Sequence, residues 1–221
     1  MISDSCDFSC NYLDELLRRY PPLLVCGDDI HEAFLLLKES FRNGNKLLIC
    51  GNGGSAADAE HIVGELMKSF HFKRRIDPSF QELYYRVNGC FVPNWLEEAL
   101  PAIALNSHTS LTTALSNDND EDSLFAQQVY GYGKKGDVLL SISTSGLSKN
   151  ILEAIRVARA KEMCVIALMG ENRTLMSELA DVAICVPEHQ TYKVQELHLP
   201  VYHCLCAMVE ESLFGEKKNV S

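Results

Sequence analysis

Residues 46–67, KLLICGNGGSAADAEHIVGELM, constrain the possible folds more than any other stretch. Leu47, Leu48, Ile49 and Cys50 make a short apolar run that meets glycine, which predicts a buried strand. Gly51, Asn52, Gly53 and Gly54 predict a tight turn, and a helix is expected to open near Ser55. Glycines let backbone N–H groups approach a ligand closely, and the first helical turn adds unpaired donors and the positive end of the helix dipole. Such a junction suits an anion. Further along, His61 and Glu65 stand at i and i+4 and share a helix face, as a metal-binding or acid–base pair would. A solvated pair at the edge of the core is the plainer alternative.

The rest of the chain repeats this alternation. Helical periodicity runs over residues 7–20 (Phe8, Leu13, Leu16, Leu17) and stops at Pro21 and Pro22. A second helix is expected over 28–42, capped by Asp28 or Asp29 and ended near Gly44. Apolar runs at 101–105, 138–142, 164–169 and 182–186 predict four more strands, with helices at 123–132, 149–159 and 192–214. Asn117, Asp118, Asn119 and Asp120 read as a turn. The expected fold is one α/β domain with a five-stranded parallel sheet flanked by helices on both faces. Ligands in such sheets bind beyond the carboxyl ends of the strands, at a topological switch point. Residues 70–100 are too long for an ordinary connection and are expected to form an insertion or lid. They carry the basic cluster Lys73, Arg74 and Arg75, a candidate for reaching an anionic substrate or a solvated loop.

Composition narrows the function classes. A formal net charge of −10 over 221 residues argues against non-specific binding to nucleic acid or anionic membrane. No apolar run reaches the roughly 20 residues of a membrane helix, and the N-terminus lacks a basic-then-apolar signal pattern, so a cytoplasmic protein is expected. The nine cysteines are odd in number, lack a CxxC pair and fall mostly in apolar stretches, which fits a reduced compartment.

Residues 143–148, STSGLS, place Ser143, Thr144, Ser145 and Ser148 at a second strand-to-helix turn. Hydroxyls and first-turn amides suit a phosphate, with a Ser-rich capping turn as the bland alternative. Gly51, Gly53 and Ala56 also match a dinucleotide fingerprint, but its acidic companion falls to Asp77, which follows no strand. On the last helix Gln195 lies angularly between His198 and His203, so it can share a face comfortably with only one of them. His203 sits in an otherwise apolar run and needs a partner. His31, His71, His108 and His189 read as surface or loop residues.

CGNGGSAADAEH with Glu65, ISTSG at 142–146, and VQELH at 194–198 with His203 together resemble the sugar isomerase (SIS) domain of the phosphoheptose isomerase family. The similarity runs over about 43–214, interrupted at about 70–100. The resemblance implies a flavodoxin-like three-layer fold and a cytoplasmic homotetramer, with residues 1–43 as an N-terminal oligomerisation segment and active sites between subunits. It implies isomerisation of sedoheptulose 7-phosphate through an enediolate, on the route to heptose for lipopolysaccharide or another surface glycan. It implies Glu65 as base with His203 as its acid–base partner, and zinc held by His61, Glu65, Gln195 and His203. Substrate contacts carry over to Asn52, Gly53, Ser55, Asp118, Ser143, Thr144, Ser145, Ser148 and Gln195. Two departures stand out: residues 70–100 exceed the family's usual connection, and Leu147 stands where a polar residue is common. The LNSHTS and HCLCAMVEESLF stretches are also similar to non-catalytic, replication-initiator-associating SIS proteins, which makes a regulatory role one alternative, with an isomerase or binder of another phosphosugar as a third reading.

Overall fold

The computed structural model describes residues 10–120 and 122–215. Helix α1 (Cys10–Arg19) leads through a 3₁₀ turn at Pro21–Cys26 into α2 (Gly27–Arg42). The sheet then alternates with helices: β1 (Leu47–Gly51), α3 (Gly54–Met67), α4 (Pro78–Asn88), β2 (Ala102–Ala104), α5 (Thr109–Asp118), α6 (Ser123–Tyr132) and β3 (Val138–Ser143). The chain continues through α7 (Lys149–Ala160), β4 (Cys164–Met169), α8 (Leu175–Leu179) and β5 (Val182–Cys185) to the long α9 (Thr191–Phe214). Positions 7–9 of the first expected helix, including Phe8, lie outside the described residues.

All five strands are parallel, in the order β2-β1-β3-β4-β5. Alternate residues feed two cores. Leu47, Ile49, Leu140 and Ile142 face α1, α2, α3 and α9, whereas Leu48, Cys50, Leu139 and Val165 face α6, α7 and α8. The first two strands run toward one edge and β3 returns to the other side of β1, so the switch point falls between β1 and β3. The turns at 51–55 and 143–148 both leave the sheet there. Buried Asp137 pins the opposite end: its carboxylate accepts from the backbone of Lys46 at 3.0 Å and of Lys134 at 2.9 Å, and pairs with Lys46 Nζ at 2.5 Å.

Several expectations need correction. Neither Asp28 nor Asp29 caps α2; both sit in its first turn, where a carboxylate complements the dipole. Residues 117 and 118 are not a turn but the end of α5, a polar helix that buries only Leu115 and so carries almost no apolar period. The five-residue α8, closed by a capping box between Thr174 and Ser177, is too short to leave a periodic signal. In the insertion, Asp77 caps α4 by accepting from Ser79 and Phe80, which gives it a structural task away from any nucleotide. The basic cluster does not act as a unit: Arg74 is buried against Glu210, while Lys73 bonds the Asn94 carbonyl.

Candidate active site

Helices α3 and α9 lie side by side and in the same sense. Near the start of α3, Gln195 packs on Gly54 so closely that a Cβ there would come within 2.4 Å of Gln195 Nε2. Further along, His61 meets His203, Nε2 to Nε2, at 3.3 Å. The absence of a side chain at Gly54 therefore sets how near the two helices approach.

His61 is held by three neighbours. Its Nε2 is 3.4 Å from Glu65 Oε1, and its Nδ1 is 3.0 Å from the Tyr202 hydroxyl. Tyr202 donates to Asp58 Oδ1 at 3.3 Å. With that proton committed, His61 Nδ1–H donates to Tyr202 oxygen and Nε2 keeps its lone pair, facing Glu65 and His203. Burial raises the Asp58 pKa against the lowering effect of the Tyr202 bond. Burial, then the charge of Asp58, pushes the Tyr202 phenol up, so it stays protonated. Burial and the neighbouring His61 lower the His203 pKa, which keeps that imidazole neutral near neutral pH. Glu65 is mostly buried, with its second oxygen 3.1 Å from Lys68 Nζ.

Two imidazoles and a carboxylate are the donor types of a zinc site. A tetrahedral ion with ligands about 2.0–2.1 Å away holds its donors about 3.3–3.4 Å apart, which the two His61 distances match. Among the described residues, however, no group of three or more His, Cys, Asp or Glu side chains is gathered to hold a metal on its own. Gln195 stands eight residues before His203, about 12 Å along the helix axis, and does not join the cluster within one chain. The donors fit in kind and remain incomplete in the single protomer.

The two turns at the switch point form a separate pole. Gly53 takes φ +56°, a left-handed conformation that glycine adopts without strain. Neither α3 nor α7 has its first turn closed by a side-chain cap, but in α3 the amides of Ser55 and Ala56 already donate to the carbonyls of Asn52 and Gly53, at 3.0 and 3.1 Å, so the first turn of α7 is the more open of the two. Ser55 is buried. Ser143 Oγ is 3.2 Å from Ser148 Oγ and accepts from Gly146 N, while Ser145 Oγ accepts from Leu147 N. Asn52 and Asn150 exchange reciprocal amide bonds of 3.0 Å, clasping one turn to the other. Thr144 is half-buried in the same turn.

Asp118 stands apart from both poles. It is exposed at the end of α5, where it accepts from Asn117 at 2.8 Å, and no described contact joins it to the turns or to Glu65. A cavity of about 460 Å³ opens on the far side of His203, between α1 and α9. Of the residues expected in the site, only His203 lines it. His71, expected as a loop residue, also lines this cavity and bonds Tyr12 at 3.1 Å. Sequence reasoning missed Asp58, Tyr202 and Asn150. Asp58 was within reach, because it sits one turn before His61 on the same face; Asn150 is 98 residues from its partner and had no local signal.

Comparison with known proteins gives the family and the fold. The SIS domain family matches residues 25–81 and 78–170. Phosphoheptose isomerase 2 of Campylobacter jejuni is 42% identical over 187 residues, covering 85% of this chain and 82% of its own length. Two solved phosphoheptose isomerases share the architecture. The Neisseria gonorrhoeae enzyme has a TM-score of 0.71 at 31% identity, covering 91% of this chain and 96% of its own. The Francisella tularensis enzyme has a TM-score of 0.72 at 29% identity, covering 95% and 100%. By sequence, fold and the order of its motifs, the chain belongs to the phosphoheptose isomerase family of SIS-domain proteins.

Proposed function

We propose that this isomerase converts D-sedoheptulose 7-phosphate to D-glycero-D-manno-heptose 7-phosphate, in the supply of heptose for lipopolysaccharide or another surface glycan. The observation that carries the reading is the meeting of Glu65 on α3 with His61, and of His61 with His203 on α9, along a helix that opens from the glycine turn at the switch point of the sheet. The non-catalytic alternative is not favoured, since the relatives are named phosphoheptose isomerases.

The phosphate is gripped by the first-turn amides with Asn52, Gly53, Ser55, Ser143, Thr144, Ser145 and Ser148. This grip is remote from the reacting carbons, so its binding energy goes into orientation. Glu65 takes a proton from C1, the C1–C2 double bond forms, and the carbonyl electron pair moves to O2. Neutral His203 protonates O2 from its N–H. Collapse of the enediol returns the O1 proton to His203 and the Glu65 proton to C2, which leaves the aldehyde at C1. Positioned acid–base groups of this kind contribute about 10²–10⁴-fold.

Zinc is part of the proposal, with His61, Glu65 and His203 as donors and Gln195 supplied by a second copy of the chain. When bound, it would polarise the substrate carbonyl as a Lewis acid. That arrangement entails a homo-oligomer, a tetramer by resemblance, with sites between subunits; Asp118 would reach the sugar only in that setting. A cytoplasmic location belongs to the same reading. No helix among the described residues is long and apolar enough to cross a membrane.

The test is incubation with sedoheptulose 7-phosphate and product analysis, before and after exhaustive chelation. Turnover that disappears on chelation and returns with zinc supports the proposal. No turnover under any condition would sink the substrate, and full turnover of metal-free protein would remove the metal.

A further inference from the structure

We propose that the buried Arg74–Glu210 pair is a positioning device that fixes Glu65 on α3 against His203 on α9. The inference rests on the assignment of Glu65 and His203 made above.

Glu210 lies two turns after His203 on α9, in an apolar run, and is fully buried. A buried carboxylate persists only when its lone pairs are satisfied. Four donors converge on it: Phe70 N at 2.7 Å, His71 N at 2.6 Å, Phe72 N at 3.3 Å and Arg74 Nε at 2.8 Å. Arg74 is equally buried and directs its other nitrogens elsewhere. One donates to the Leu66 carbonyl at 2.5 Å and the other to the Glu65 carbonyl at 3.1 Å. Those carbonyls belong to the last turn of α3, where backbone acceptors lack helical partners and a cation is favoured. The guanidinium also lies over the Phe214 ring at 5.1 Å.

One rigid fork therefore ties the backbone of Glu65 to the helix that carries His203. The same carboxylate folds the chain after α3 back on itself. As a result Phe70 stands 5.8 Å from the His203 ring and His71 stacks on Phe70 at 4.3 Å. An apolar pair of similar volume would fill this space as well, but it would not orient the end of α3 through fixed donor directions. The geometry assigns the pair to alignment of the two reacting side chains rather than to packing alone.

The variants are Arg74→Lys, which keeps the charge and loses the fork, and the double variant Arg74→Met with Glu210→Met, which restores apolar packing. Glu65→Gln is run beside them. Turnover of sedoheptulose 7-phosphate is measured at a temperature where circular dichroism shows each variant folded. Misplacement of a reacting group costs about 10²-fold for 1 Å, so a fall in kcat of about 10–100-fold is expected in both pair variants, with KM changed far less. A folded double variant with wild-type kcat overturns the positioning role even if Glu65→Gln is dead. A loss confined to KM, or one matched by the unfolded fraction, overturns it too. If Glu65→Gln itself turns over normally, the site assignment fails first and takes this inference with it. Arg74→Lys keeps the question open to decision should the double variant not fold.

Discussion

His61 owes its orientation to Tyr202 more than to Glu65, because the hydroxyl fixes which ring nitrogen keeps its lone pair. Tyr202→Phe should leave the fold intact and, on the proposal that His61 ligates zinc, lower kcat/KM by about 10–100-fold. Unchanged kinetics would show that His61 needs no such anchor. Gly54→Ala should displace Gln195, whose amide occupies the space of the new methyl, and lower activity while the thermal midpoint moves little; a crystal structure with Gln195 unmoved would refute this. At this scale the sequence was informative where side chains meet at helical spacing, as His61 and Glu65 do. It was silent where partners are far apart in the chain, as with Glu210 and Arg74, which are 136 residues apart. Asp118 was misplaced because a polar helix end and a turn share the same composition.

Among the elements, the strands were legible because each is a short apolar run between glycine or polar punctuation, and full burial leaves no other use for it. The start of the sheet depends on Asp137. Asp137→Ala should cost about 3–5 kcal/mol in denaturant unfolding, because Lys46 would lose its partner and the backbone donors of Lys46 and Lys134 their acceptor. Helix α9 carries a second, pH-linked strain. His198 is fully buried against the sheet with neither ring nitrogen in a well-formed hydrogen bond, and burial pushes its pKa down to about 4, opposed only by the Met169 backbone. The unfolded state binds this proton near pH 6.5 and the folded state resists it until about 4. Stability should therefore be full above pH 6.5 and decline as pH falls toward 4, and His198→Leu should flatten that decline. A thermal midpoint with the same pH slope in both proteins would show that His198 is not its source.

At the scale of the molecule, the single chain holds the site's parts at two ends of one helix and leaves Gln195 beside the anion turn rather than beside His203. Helix α4 buries no residue, and Phe91 and Trp95 after it are 82% and 79% exposed, so this middle part of the insertion stands away from the core, while Arg74 and Leu100 near its two ends are buried. The sequence announced the insertion by its length but held no period to say how it folds. If the site is shared between copies, Glu65→Gln and Gln195→Ala proteins, each inactive alone, should regain activity after mixed refolding. Mixtures that stay inactive would place every ligand within one chain.

The central claim is that Glu65 carries a proton between adjacent carbons of a phosphosugar. Its most direct test is conversion of sedoheptulose 7-phosphate in deuterium oxide, with the product read by NMR. The wild-type protein should yield heptose 7-phosphate carrying deuterium at C2 in each turnover where the protonated Glu65 exchanges with solvent before the enediol collapses, and protium carried over from C1 in the rest, whereas Glu65→Gln should yield no product. Product formed at the wild-type rate by Glu65→Gln would contradict the account.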